Sequence, residues 1–126
     1  MVYRILAALI GLLMAVNALT WITTPADAAA SMGMTVQTGL GLSSQVGDMT
    51  AFFASIALFC FIGAWRQTAL WLYSAAIVLG LTALFRTAAW LFHGADLAEF
   101  FIAVEVVCVI VLLIVAGLMP QKASNS

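Results

Sequence analysis

The sequence predicts an all-α membrane protein, a single domain over residues 1–126 built as an antiparallel bundle of four transmembrane helices with both termini cytoplasmic. Three observations lead there. Of the 126 residues, 66% are hydrophobic and only 7% charged, with a mean hydropathy of +1.20, far outside the balance of a water-soluble domain. The apolar residues collect into four runs, each long enough to cross a bilayer core of ~30 Å at ~1.5 Å per helical residue. Finally, three of the four basic residues, Arg4, Arg66 and Lys122, fall where four spans would place them on one face.

The first span covers about residues 4–22, apolar from Ile5 to Ile22 except for Asn17 and Thr20. Arg4 before it and Ala26-Asp27-Ala28-Ala29-Ala30 after it also resemble a secretory signal, but the apolar run exceeds the roughly 7–15 residues of a signal core. A retained helix is therefore expected. Residues 23–47 read as the outer loop, with Pro25 as a helix stop and Gly33, Gly39, Gly41 and Gly47 as punctuation. Met32, Met34, Val36, Leu40 and Leu42 are too apolar for a solvated tether, so this loop should lie on the membrane surface or fold over the bundle mouth as a lid.

The second span, about 48–65, should open at Asp48, an acid favoured by a helix N-terminal dipole. Arg66-Gln67 is then a turn so short that the third span, about 69–91, must return beside it. Phe92-His93-Gly94-Ala95-Asp96 forms a second tight connection, and the fourth span, about 98–119, stops at Pro120 before the polar tail Gln121 to Ser126. Arg4, Arg66 and Lys122 then share one face, which the positive-inside bias makes cytoplasmic. Tyr3, Trp65, Trp71 and Tyr73 should form an inner aromatic belt, and Trp21, Trp90 and Phe92 an outer one.

Two charges stand inside these apolar runs, Arg86 and Glu105. Each alone costs at least roughly 2.5–3.5 kcal/mol at a membrane helix centre, so they should face the bundle interior and pair. Arg86 lies five residues before Leu91 and Glu105 six after Glu99, which puts both ~7.5–9 Å below the outer helix ends. Asn17 reaches the same level, and Asp48 stands at the outer mouth. Thr82, Arg86, Trp90 and His93 share one face of the third helix; Phe101, Glu105, Cys108 and Leu112 share one of the fourth. In the inner half, Ser55, Ser74 and Thr82 can satisfy themselves on their own helix carbonyls. The expected binding residues are thus Arg86, Glu105, Asn17, Asp48, His93 and Trp90, in an aromatic-walled pocket open outward. Such a pocket suits an amphiphile with an anionic or hydrogen-bonding head, and Arg86 is the natural ligand for a carboxylate or phosphate.

Other classes find little support. A net charge of −1 offers no basic patch for nucleic acid. Cys60 and Cys108 lie singly in apolar runs without the close partners of a metal or haem site, and read as small core residues. No metal, cofactor or catalytic residue is expected, because nothing matches a nucleophile elbow, a metal motif or a redox dithiol.

The polar entrance at Gly47-Asp48-Met49-Thr50-Ala51-Phe52-Phe53, Pro25 after the first span, Phe85-Arg86, His93-Gly94 and Val104-Glu105-Val106-Val107 together resemble the DUF4345 family of small four-helix membrane proteins, within the broader DoxX-like group. The resemblance covers nearly the whole chain. The second span departs from the family pattern, which has an Arg and paired glycines where this chain has Met49-Thr50-Ala51 and Phe53-Ala54. The family has no settled activity, so the resemblance implies the four-helix architecture and the placement of Arg86 and Glu105. The expected location is the bacterial inner (plasma) membrane.

Three functional expectations follow. The first is binding or transport of a lipophilic, anionic molecule, a membrane lipid or lipophilic small molecule drawn from the outer leaflet. The second is a structural accessory subunit of a larger membrane complex, or a homo-oligomer, with the small residues Ala7, Ala8, Gly11 and Ala15 supplying close contact. The third is an intramembrane enzyme using Glu105 or His93 as general base. Against all three stands a purely structural role, in which the Arg–Glu pair only fixes helix register.

Overall fold

A computed structural model of the chain describes residues 1–120; Lys122 and the rest of the polar tail lie outside the described residues. The chain is helical throughout, with five helices in the order α1 (Val2–Thr23), α2 (Pro25–Ser31), α3 (Gly39–Arg66), α4 (Ala69–His93) and α5 (Glu99–Leu118). Four of them, α1, α3, α4 and α5, are long and apolar enough to cross a membrane. α2 is a short helix between the first two. The most extensive packing is α1 on α3, followed by α4 on α5, with α3 also touching α4 and α1 touching α5.

The expected 23–47 loop is mostly helix. Pro25 does not merely end α1: it opens α2 at that helix's first position, where its missing N–H has no intrahelical partner to lose and its fixed φ suits the helix. α3 begins at Gly39, nine residues before the expected start at Asp48. Of the supposed punctuation, Gly33 and Gly39 do take positive φ, but Gly41 and Gly47 are ordinary helical residues. A mid-helix glycine costs only ~1 kcal/mol, and near lipid the helix repays that by satisfying its own backbone groups. The remaining connection, Met32 to Thr38, is held by the side chain of Gln45: its Oε1 accepts from the Gln37 N–H at 2.7 Å and its Nε2 donates to the Thr35 carbonyl at 3.1 Å. Met32 and Val36 pack against the core.

At the other end of the molecule the short turn is as expected. Gln67 closes α3 in the left-handed conformation at φ 51°. Arg4 in the first turn of α1 donates from Nε to the Ala64 carbonyl at 2.9 Å and from Nη2 to the Trp65 carbonyl at 3.3 Å. These are carbonyls left without partners in the last turn of α3, where a cation is also favoured by the helix dipole.

Close approach depends on two glycines. A Cβ on Gly11 would lie 2.8 Å from the Phe61 ring, and one on Gly63 would lie 2.7 Å from Leu72 Cδ2. The small residues of α1 are therefore used within the chain, since Ala7 and Gly11 are buried against α3. Cys60 and Cys108 are free, buried core residues, as expected. Trp21 is not part of an outer belt. It is 1% exposed and shares the buried cluster with Ala28 and Ala29 of α2, the helix missing from the sequence reading.

Candidate functional site

Arg86 and Glu105 meet. α4 carries Arg86 seven residues before its end and α5 carries Glu105 in its second turn, so helices joined by a short connection bring the two to one level. Arg86 Nε lies 2.8 Å from Glu105 Oε1, and the guanidinium carbon sits 4.9 Å from the centre of the Phe101 ring, within cation–π range. Glu105 is 7% exposed, the single buried charged residue among those described. The pairing is one-sided. Only Nε of the guanidinium bonds the carboxylate, and Glu105 Oε2 is buried without any partner among the described residues.

Beside the pair lies a partly enclosed cavity of about 370 Å³, to which every helix contributes. Its polar residues are Arg86, Glu105, Asn17 and Ser31. Its walls are aromatic, from Phe52 and Phe53 of α3 and Phe100 and Phe101 of α5, with Leu13, Met14, Leu79 and Val104 completing the apolar surface. Met32, just past α2, closes one side. The expected face of α5 holds, with Phe101 partly buried and Glu105, Cys108 and Leu112 buried.

Three expected residues are not in this site. Asp48 is exposed and lies in the third turn of α3, ~13 Å along the helix from its true start, so neither the dipole nor the cavity claims it. Trp90, 44% exposed, and His93, exposed in the last turn of α4, are not among the residues that line the cavity. Asn17 does reach the cavity, where its Nδ2 donates to the Leu13 carbonyl at 2.9 Å. Ser31 was not legible in advance, because it comes from a helix the sequence reading lacked. Phe52, Phe53 and Phe100 were equally hidden, since an aromatic residue in an apolar run carries no mark of whether it faces lipid or an interior space.

The arrangement can shelter an apolar tail against the four phenylalanines and offer hydrogen bonds at one end. Ser74 and Thr82 bond back to their own turns, to the carbonyls of Leu70 and Val78, as expected; Ser55 makes no such bond among the described residues, and Thr50 Oγ1 on α3 is buried without a partner among them. No group of three or more His, Cys, Asp or Glu side chains among the described residues could hold a metal ion. Compared with protein-family models, with curated proteins and with solved structures, the chain matches none.

Proposed function

We propose that the protein is an integral membrane binding or carrier protein for a lipophilic amphiphile, whose tail enters the Phe-lined cavity and whose head engages Arg86 and Glu105. The observation that carries this reading is the cavity itself: an apolar chamber of about 370 Å³ ending on a charged pair that leaves hydrogen-bonding capacity unspent. Cavities of this size and make-up, mostly apolar with a few convergent polar groups, are the usual form of a small-molecule site. A pair serving only to fix register would be expected to saturate its own hydrogen bonds, because an unsatisfied buried acceptor is costly.

The proposal includes the setting. The four long helices form an antiparallel transmembrane bundle in the bacterial inner membrane, with both termini cytoplasmic and the cavity in the outer half. Arg4 and Arg66 gathered at the end opposite the cavity support that orientation. Kinship with the DoxX-like group is part of the same proposal and rests on the motifs around Arg86 and Glu105. An accessory-subunit role draws less support, since the small-residue face of α1 that would serve it is packed on α3.

The test is co-purified lipid measured by extraction and mass spectrometry. The wild-type protein should retain a defined amphiphile, and Arg86→Leu with Glu105→Leu, which removes both charges together, should fold but lose it. Equal retention by the two proteins would overturn the proposal.

A further inference from the structure

We infer that this site selects a neutral, hydroxylated head group, such as the glycerol of a monoacylglycerol, over an anionic one. The inference rests on the binding role proposed above and specifies its ligand class. The positive charge of Arg86 is already answered by Glu105 at 2.8 Å, so an anionic head drawn to the guanidinium would also lie beside a carboxylate. A cationic head would meet the guanidinium instead. Beside a pair that sums to zero, neither charge gains what an unpaired partner would give it.

The polar atoms left over point the same way. Asn17 spends an Nδ2 hydrogen on the Leu13 carbonyl at 2.9 Å, and Ser31 spends its hydroxyl hydrogen on the Ala28 carbonyl at 2.7 Å. Because Leu13 offers an acceptor, the Asn17 atom facing it must be the nitrogen, which leaves Oδ1 as a free acceptor. Ser31 Oγ keeps its lone pairs, and Glu105 Oε2 has no donor at all. The unspent donors are the Nη hydrogens of Arg86 and the second Nδ2 hydrogen, and the unspent acceptors are Asn17 Oδ1, Ser31 Oγ and Glu105 Oε2, so only a head that both donates and accepts uses both sets. A fatty-acid anion has no hydrogen to give the acceptors. A glycerol head has hydroxyls that donate to Glu105, Asn17 or Ser31 while their oxygens accept from Arg86. Oε2 is buried, so reaching it takes a rotation of the carboxylate that also shifts the oxygen held by Arg86 Nε, and a hydroxyl is a compact donor that demands little further room.

The experiment compares monolaurin with laurate, equal in tail length, on the intact protein in phosphatidylcholine nanodiscs, with binding read by native mass spectrometry at a pH where laurate is ionised. Monolaurin should bind about tenfold tighter or more, the value of one or two net hydrogen bonds. Asn17→Leu should weaken monolaurin by roughly 3–10-fold and leave laurate unchanged. Glu105→Gln keeps an acceptor for Arg86 Nε but removes the negative charge, so laurate should gain about tenfold and the preference should narrow or invert. Laurate binding as tightly as monolaurin to the wild-type protein, or a preference indifferent to Glu105→Gln, would overturn the inference and leave the binding role standing. If neither probe binds in a manner lost in the Arg86→Leu, Glu105→Leu protein, the binding role itself falls.

Discussion

Glu105 has one carboxylate oxygen bonded and one bare, and that asymmetry decides how its variants should behave. Arg86→Ala strands a buried carboxylate with both oxygens unpartnered, and should cost about 3–5 kcal/mol. Replacing both residues by leucine removes the desolvated charges together and should be near neutral in stability; thermal unfolding in detergent separates the two outcomes. At the opposite end, Gln67 holds φ 51° while its N–H caps the Gly63 carbonyl, a bond glycine would keep, and its side chain accepts a 3.4 Å hydrogen bond from Tyr3. Gln67→Gly should therefore raise stability by about 1 kcal/mol, seen in the same measurement. Arg86 and Glu105 were legible in the sequence because a charge in an apolar run needs a partner, and helix rise then gives its depth. The same logic misplaced Asp48, whose depth was counted from a helix start that proved nine residues too late.

The helices differ in how tightly they are fitted, and their glycines show it. Gly63→Ala would press on Leu72, which is fully buried, and on the rigid Trp71 Cβ at 3.2 Å, so a loss of about 1–3 kcal/mol is expected. Gly11→Ala meets a Phe61 ring that is 38% exposed and can swing outward, but also the Cβ of fully buried Cys60 at 3.1 Å, which cannot. Both variants also gain the ~1 kcal/mol that alanine has over glycine in a helix, so Gly11→Ala should be the less costly only by what the exposed Phe61 ring yields, and thermal unfolding of the two variants checks that order. Gln45→Ala should leave the helices intact but speed hydrogen exchange at residues 35–37, which its side chain ties down. That segment was the least legible part of the chain. Hydropathy locates helices that cross a membrane, but α2 and the first turns of α3 mix small, polar and apolar residues and carry no span-length signal, so their helicity follows from local hydrogen bonding and packing instead.

At the scale of the molecule, most of the large apolar side chains on α1, α4 and α5 point away from the core, which only a surrounding apolar solvent makes tolerable. The four membrane-length helices were readable from composition because ~20 apolar residues in a row have few other uses. The cavity was not, because it depends on where five helices fail to fill space. The orientation proposed above makes a direct prediction: a green fluorescent protein fused after Ser126 should fluoresce, and Arg4→Glu with Arg66→Glu should reduce or scramble that signal.

Arg4 binds carbonyls that are made 60 residues after it. α1 consequently has no finished seat until α3 has been synthesised through Arg66, and must wait in the translocation channel or the lipid until then. Force measurements on arrested nascent chains should then register a pull as that segment emerges, one that weakens in Arg4→Ala; an unchanged trace would mean the first two long helices insert independently and dock only afterwards.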